Sequence, residues 1–263
     1  MKIAVCVKEV PDMESHFAID PTGKRVKEEG LVFKINSFDE FAIEEALKIK
    51  GSGGGEVILV NLGPDRAKQT IRKGLAMGAD RAIQLVDPVF EGSDSLATAK
   101  LLAQAIRPLN CDLVFTGVQA EDDGCAQVGV IIAHLLNYAH TSIAIKLALA
   151  NDKKSLTVHR ELEGGMMEVT EVELPAVVTV QSGINTPRYA SLPGIMQAKK
   201  KEIKEIRLPD SGLAPDTVGE KGRSVIVEKL YFPEKGKTAE MIQGDAKQAV
   251  QKLVQRLKES KLL

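Results

Sequence analysis

Tryptophan is absent from the 263 residues, and aromatic residues make up only 4% of them. Stacking platforms for single-stranded nucleic acid are built from exposed rings, so that class of binder is disfavoured. An excess of one charge is equally missing, with Lys+Arg at 35 against Asp+Glu at 36. Such a balance supplies no bulk field for nucleic acid or a membrane surface. Cysteine is scarce. Cys6, Cys111 and Cys125 stand far apart without a C-x-x-C pair, a pattern that argues against a disulfide framework or a zinc site and fits a reducing compartment. No apolar run is long enough to span a bilayer, and MKIAVCVKEV opens directly as a strand instead of a secretory leader. The expected location is the cytoplasm of a prokaryote.

Catalytic signatures are also lacking. No G-x-G-x-x-G follows the first apolar run, and neither a P-loop nor a G-x-S-x-G elbow occurs. His16, His134, His140 and His159 show no metal spacing, so no metal site is expected. Ser52-Gly53-Gly54-Gly55 follows a helical pattern and reads as a turn. With no nucleophile or acid–base constellation, a hydrolase or transferase is disfavoured, and no catalytic residue is assigned.

What is present is alternation. Apolar runs at Ile3–Val7, Val57–Leu62, Ala82–Val86 and Leu113–Thr116 are separated by helical patterns near Glu40–Lys50, Asp65–Met77, Asp94–Arg107 and Ala126–Leu136. This predicts an α/β fold: a mostly parallel, Rossmann-like, adenine-nucleotide-binding sheet with helices on both faces. The first run leads into a turn-rich excursion or hairpin carrying Pro11 and Asp20-Pro21-Thr22-Gly23. After Ala139, SIAIKLALA, SLTVHRELE, MEVTEVEL and AVVTVQSGI read as strands, with turns at Asn151-Asp152 and Gly164-Gly165, finishing the sheet and adding a small antiparallel layer. From Asn185 the chain loses periodicity until Asp245–Lys258, where Ala249, Val250, Leu253, Val254 and Leu257 form a helical stripe. The expected organisation is a nucleotide-binding α/β domain over 1–184, a recognition loop and connector over 185–206, and an extended C-terminal arm over 207–263. Such an arm is hard to stabilise alone and is expected to pack on another chain.

The stretch VFTGVQAEDDGCAQVGVIIAHLL, Val114 to Leu136, runs from strand through an acidic loop into a helix. Ligands of open parallel sheets sit beyond the C-terminal strand ends, and a helix start presents unpaired N–H groups to an anion. Gly124 and Ala126 keep bulk away. The carboxylates then have to face elsewhere, with Asp122 or Asp123 capping the helix and another accepting from a ribose hydroxyl. Gln127 is placed to donate from the first turn. An over-capped surface helix explains the same residues. Two further βα loops have the same order of elements: Gly63-Pro64-Asp65, and FKINSFDEFAIEEAL, where Asn36 either reads an adenine edge or caps the helix.

These motifs carry a family resemblance. GVQAEDDGCAQVG at Gly117–Gly129, AMGADR at Ala76–Arg81, VHRELEGG followed by LPAVVTV, and NTPRYASLPGIMQAKKK at Asn185–Lys201 together closely resemble the beta subunit of electron transfer flavoproteins. The likeness extends over nearly the whole chain to about Ile206. It implies a heterodimer with an alpha subunit that holds FAD, while beta binds AMP and lines part of the flavin site. Electrons pass from flavin dehydrogenases to a quinone oxidoreductase, and the redox chemistry is the cofactor's. Family AMP contacts fall on Cys6, Asn36, Val60, Leu62 and the run Gln119, Ala120, Asp122, Asp123, Gly124, Cys125, Ala126, Gln127 and Val128. The aromatic near the flavin falls on Phe38, and a second position, often Tyr, falls on Met13. Asp122, Asp123 and Cys125 resemble the AMP-binding type. Ala126-Gln127-Val128-Gly129 is closer to bifurcating, NADH-using members with a second FAD in place of AMP.

The same resemblance makes Pro187–Pro193 a dehydrogenase recognition loop, with Tyr189, Leu192, Pro193, Ile195 and Met196 as its contacts. Prolines stiffen the loop, Leu192 can plug an apolar pocket, and Lys199-Lys200-Lys201 can steer acidic partners. An ordered connector is the plainer reading of these residues. A reading from another class is an adenine-nucleotide sensor of the stress-protein type, against which the long arm after Asn185 speaks.

Overall fold

The structure, a computed structural model, describes residues 1–233, 236 and 239–263. Runs of aliphatic and β-branched residues buried on both faces form its central strands. β1 (Lys2–Cys6) precedes a short pair, β2 (Glu9–Pro11) and β3 (Phe33–Ile35), then α1 (Ser37–Gly53) and β4 (Glu56–Leu62). Next come α2 (Lys68–Met77), β5 (Arg81–Leu85), α3 (Ser95–Ile106), β6 (Leu113–Gly117) and α4 (Val128–Leu136). The remainder holds β7 (Ala139–Leu149), β8 (Ser155–Glu161), β9 (Met167–Glu173), β10 (Ala176–Val180), α5 (Leu192–Ala198) and β11 (Ile203–Ile206). Single turns α6 (Leu208–Ser211) and α7 (Gly219–Gly222) follow, then α8 (Ala246–Glu259).

Among the described residues nine strands form the main sheet, in the order β11-β5-β4-β1-β6-β10-β7-β8-β9. Pairings from β11 across to β7 are parallel, and only β7-β8-β9 is antiparallel. The α/β expectation therefore holds. The strands after Ala139 continue the same sheet, and the separate antiparallel pair is β2–β3, made by the two ends of the excursion after β1. The chain moves from β1 to β4 and β5 in one direction, then returns to place β6 on the other side of β1. That reversal opens a crevice beyond the carboxyl ends of β1 and β6.

Two apolar clusters cover the two faces. Ile43, Leu47, Ile71 and Leu75 of α1 and α2 lie over one, with Val5, Leu59 and Phe115. Leu101, Leu102, Ile132 and Ala133 of α3 and α4 lie over the other, with Ala4, Ile58 and Val114. Helix boundaries follow local chemistry. Asp94 caps α3 by accepting from Ala97 N at 2.9 Å, and α2 stops at Gly78, whose φ of 136° suits only glycine.

Two compact units divide the chain. Residues 1–18 and 26–227 make the first, which contains the whole main sheet. Residues 19–25 and 228–263 make the second, which contains α8, capped by Asp245 accepting from Gln248 N at 2.9 Å. The stripe expected on α8 is present and solvent-facing, with Val250 59% exposed. Among the described residues no helix is long and apolar enough to cross a membrane.

Helix α4 meets the sheet at Gly129. A Cβ there would lie 2.5 Å from Thr116 Oγ1 and 2.7 Å from Thr179 Cγ2, closer than packed atoms tolerate. Gly129→Ala is expected to lower unfolding stability by about 1–3 kcal/mol through overpacking, read as a reduced urea midpoint. An unchanged midpoint would mean the helix can lift without cost.

Candidate functional site

Three chain segments meet at one carboxylate where the crevice opens. Asp39, in the first turn of α1, accepts from Lys8 N at 2.7 Å through Oδ2. Its Oδ1 accepts from Gly117 N and from Asn36 Nδ2, each at 3.0 Å. The ends of β1 and β6 and the start of α1 are thereby joined through one buried side chain. Gly117 makes the approach possible, because a Cβ there would lie 2.5 Å from Asp39 Oδ1 and 2.7 Å from Phe38 Cβ. Burial pushes the Asp39 carboxyl up to about 7, against the opposing pull of the three N–H donors and the Lys8 charge.

From this knot the acidic loop is held residue by residue. Asn36 Nδ2 donates to Gln119 O at 2.9 Å, and its Oδ1 accepts from Glu121 N at 3.1 Å. Ser37 Oγ donates to Glu121 Oε1 at 2.7 Å, and Lys34 Nζ lies 3.4 Å from Glu121 Oε2. Lys8 then reaches across the crevice, donating to Asp122 Oδ1 at 2.7 Å and Asp123 Oδ2 at 2.9 Å. Burial works against the Lys8 ammonium, but the two carboxylates outweigh it and its pKa is raised. Burial likewise opposes the Asp123 anion, yet the Cys125 N–H and Lys8 prevail and its pKa is lowered.

This arrangement corrects two expectations. Neither Asp122 nor Asp123 caps α4; the N-cap residue is Gln127, with no side-chain cap bond. Both acids are instead taken by Lys8, whose reach across the strand ends is invisible in linear spacing. Asn36 does occupy the N-cap of α1, but it makes no cap bond either. It is 1% exposed and both amide protons are engaged by Asp39 and Gln119. Its side chain therefore shapes the loop and has no donor left for an adenine edge.

With the acids drawn aside, the helix start is open. Ile131 N makes the first intrahelical bond, to Gln127 O, so the N–H groups of Val128, Gly129 and Val130 precede the ladder. Gly124 and Ala126 have φ of 60° and 54°, while Gln127 returns to −109°. The Gly124 and Cys125 N–H groups are already donated, to Ala120 O and Asp123 Oδ1, so the donors left for an anion are those of the first turn of α4. A Cβ on Gly124 would meet nothing within 4 Å. The floor beneath is apolar: Cys6, Val60, Leu62 and Val128 belong to the cluster under α3 and α4, and Cys6 and Val60 are parallel neighbours. Burial pushes the Cys6 thiol up, so it acts as a neutral apolar group. An apolar floor beside a set of unpaired N–H donors fits a nucleoside phosphate.

The expected nucleotide residues Cys6, Asn36, Val60, Leu62 and Gln119–Val128 thus gather at one crevice. Phe38 sits apart from the apolar floor in the first turn of α1, and Met13 lies 52% exposed in the turn after β2. Lys8 and Asp39 were not anticipated. A lysine placed directly after the first strand, and an acid three residues past Asn36, were the available signals.

A second surface is formed by Asn185–Lys201. Ser191 caps α5, its Oγ accepting from Gly194 N at 3.2 Å. Tyr189 is 98%, Leu192 79% and Met196 71% exposed, with Ile195 and Pro193 beside them. Lys199 and Lys200 are exposed, but Lys201 is not a free steering charge: its Nζ donates to Leu75 O and Ala79 O at the end of α2. A terminal helix turn with unmatched carbonyls draws a cation inward. Among the described residues, no group of His, Cys, Asp or Glu is placed to hold a metal.

A family model described as the electron transfer flavoprotein domain matches residues 24–211. The chain is 41% identical to the electron transfer flavoprotein subunit beta of Methylophilus methylotrophus, covering 99% of both chains. It is 40% identical to the subunit of the same description from Thermoanaerobacterium thermosaccharolyticum, covering 98% of both. It is also 35% identical to protein FixA of Azotobacter vinelandii, over 93% of this chain and 89% of that one.

Because Asp39 has a raised folded pKa, its contribution to stability is full below about pH 4 and is lost as pH rises toward 7. The stability difference between the native chain and Asp39→Asn is therefore expected to shrink by about 2 kcal/mol between pH 5 and 7, measured by urea unfolding at each pH. A difference that widens with pH would place the carboxyl below its unfolded value.

Proposed function

The chain belongs to the electron transfer flavoprotein family, as a subunit of the beta type acting in electron transfer, and on that premise we propose that it holds AMP and pairs with an FAD-bearing alpha subunit. The observation that carries the nucleotide assignment is the set of N–H groups in the first turn of α4, beside two acids that share the Lys8 ammonium as counter-ion. The Val128, Gly129 and Val130 N–H groups receive the phosphate, Cys6, Val60 and Leu62 floor the nucleoside, and Lys8 keeps two anions away from it. Coulomb repulsion sets the need: one carboxylate about 6 Å from a phosphate costs about 3 kcal/mol at an effective dielectric near 20. The role of AMP is structural.

Flavin, when bound, supplies the electron-accepting and electron-donating chemistry. This chain's contribution is position: Phe38 in the first turn of α1, with Met13, walls the beta side of the flavin site. The second unit, with the exposed stripe of α8, packs on alpha. Flavin dehydrogenases, such as acyl-CoA dehydrogenases, dock on Tyr189, Leu192, Pro193, Ile195 and Met196, and a quinone oxidoreductase receives the electrons. The organisation is then a nucleotide-binding domain to residue 184, a recognition loop and connector over 185–206, and a C-terminal segment from 207 whose first part packs on the sheet domain and whose residues 228–263 reach alpha. The complex works in the cytoplasm as a carrier, without substrate turnover of its own.

A bifurcating complex, with a second FAD in the AMP position and NADH as donor, is favoured by one feature. The space around Gly124 is open and Ala126 has a small side chain at positive φ, which leaves room for a diphosphate. Small molecules released by denaturing the purified complex decide between the two: one FAD and one AMP per heterodimer is expected, whereas two FAD and no AMP assigns the bifurcating type. A colourless homo-oligomer retaining adenine nucleotide would instead indicate a sensor.

Two substitutions test the residues. Lys8→Met should weaken AMP retention at least tenfold, about 1.4 kcal/mol, measured by titrating nucleotide-stripped heterodimer; equal affinity would remove Lys8 from the site. Leu192→Ala should slow electron transfer from a dehydrogenase while flavin content stays constant, and normal transfer kinetics would refute the anchor.

A further inference from the structure

Carboxylates are rarely buried without partners, yet α1 buries two in succession, Glu44 at 6% and Glu45 at 4% exposure. Both point at the segment that leads into α5. Glu44 Oε2 accepts from Arg188 N at 3.2 Å and from Arg188 Nε at 2.7 Å, while Oε1 accepts from Nη2 at 2.9 Å. Glu45 Oε2 accepts from Asn185 Nδ2 at 2.9 Å, and that amide also donates to Phe41 O at 3.0 Å. The far end is tied to a different helix. Arg72 Nη1 of α2 donates to Ala198 O and Lys201 O, and a Cβ on Gly194 would lie 2.5 Å from Ala76 O. Between these tethers Ala190 and Ala198 pack on the core, and Tyr189, Leu192 and Met196 are left facing solvent.

We infer that Glu44 and Glu45 are positioning residues for partner docking: through Arg188 and Asn185 they fix the 185–188 backbone so that Tyr189 and Leu192 are presented to a flavin dehydrogenase in one conformation. This rests on reading Tyr189–Met196 as the docking segment. The forked Arg188–Glu44 contact fixes direction as well as distance, which a single point charge does not. A segment ordered beforehand loses less entropy on docking than one that must be ordered by its partner. Neither glutamate touches the nucleotide crevice, so the effect is separable from cofactor binding.

The test uses the purified heterodimer, with an acyl-CoA dehydrogenase and its acyl-CoA substrate as the electron-donating probe. Glu44→Gln and Arg188→Lys are compared with the native complex; the second keeps the charge but loses the fork and leaves the core filled. Amide hydrogen exchange over residues 186–192 is expected to quicken at least tenfold in both, with KM for the carrier raised about fivefold and kcat within twofold, as lost preorganisation requires. In a Leu192→Ala background the further rise in KM should vanish. Unchanged exchange overturns the inference, as does quicker exchange with an unaltered KM. If Leu192→Ala alone leaves KM unaltered, the docking reading itself fails, and the inference with it, whatever the exchange data show.

Discussion

The architecture of the crevice depends on one buried carboxylate that has to satisfy three N–H donors from separate pieces of chain. Asp39 joins Lys8, Asn36 and Gly117, of which only Asn36 is its neighbour along the chain. Parallel strands leave their terminal backbone groups unpaired where connections diverge, and a buried unpaired group costs about 1–3 kcal/mol. Asp39 meets that need at the place where the sheet reverses direction. Burial opposes its charge, and the three donors and Lys8 offset that only in part.

A second charge balance is built on the first. Lys8 is oriented by its own backbone bond to Asp39, and its ammonium then spans the opening to Asp122 and Asp123. A run of acids just ahead of a helix start is self-repelling as a string of letters. It is coherent once the carboxylates have an internal counter-ion and the N–H groups of α4 are left over. The loop is thus held by polar contacts, while the floor beneath it is fixed by apolar packing, so each can be altered with limited effect on the other.

How much of this was legible in the sequence follows from the range of the interactions. The runs Ile3–Val7, Val57–Leu62, Ala82–Val86 and Leu113–Thr116 became central strands because burial on both faces leaves a continuous apolar signature. The helices between them followed from the period of their apolar residues. The loop Gly117–Gly129 stood out as a candidate, and the resemblance of its motif, with the others, carried the family. What spacing did not reveal were contacts between distant positions: Lys8 with Asp122, Asp39 with Gly117, Glu44 with Arg188, Lys201 with the end of α2. For the same reason Asp122, Asp123 and Asn36 looked like helix caps, a local role, when longer-range partners had claimed them. The order of β10 inside the sheet, between β6 and β7, was likewise beyond local patterning.

Helix α1 carries an unusual load for a surface element of a layered fold. From Asp39 to Ile49 only Glu40, Phe41 and Lys48 are not buried. Its aliphatic side chains are claimed by the sheet, its first turn by the crevice and its central glutamates by Asn185 and Arg188. Most helices of this kind keep one face free to drift in composition over evolutionary time. Over this span there is little such latitude, because a substitution that preserves helicity and charge still meets the sheet, the crevice or the 185–188 segment.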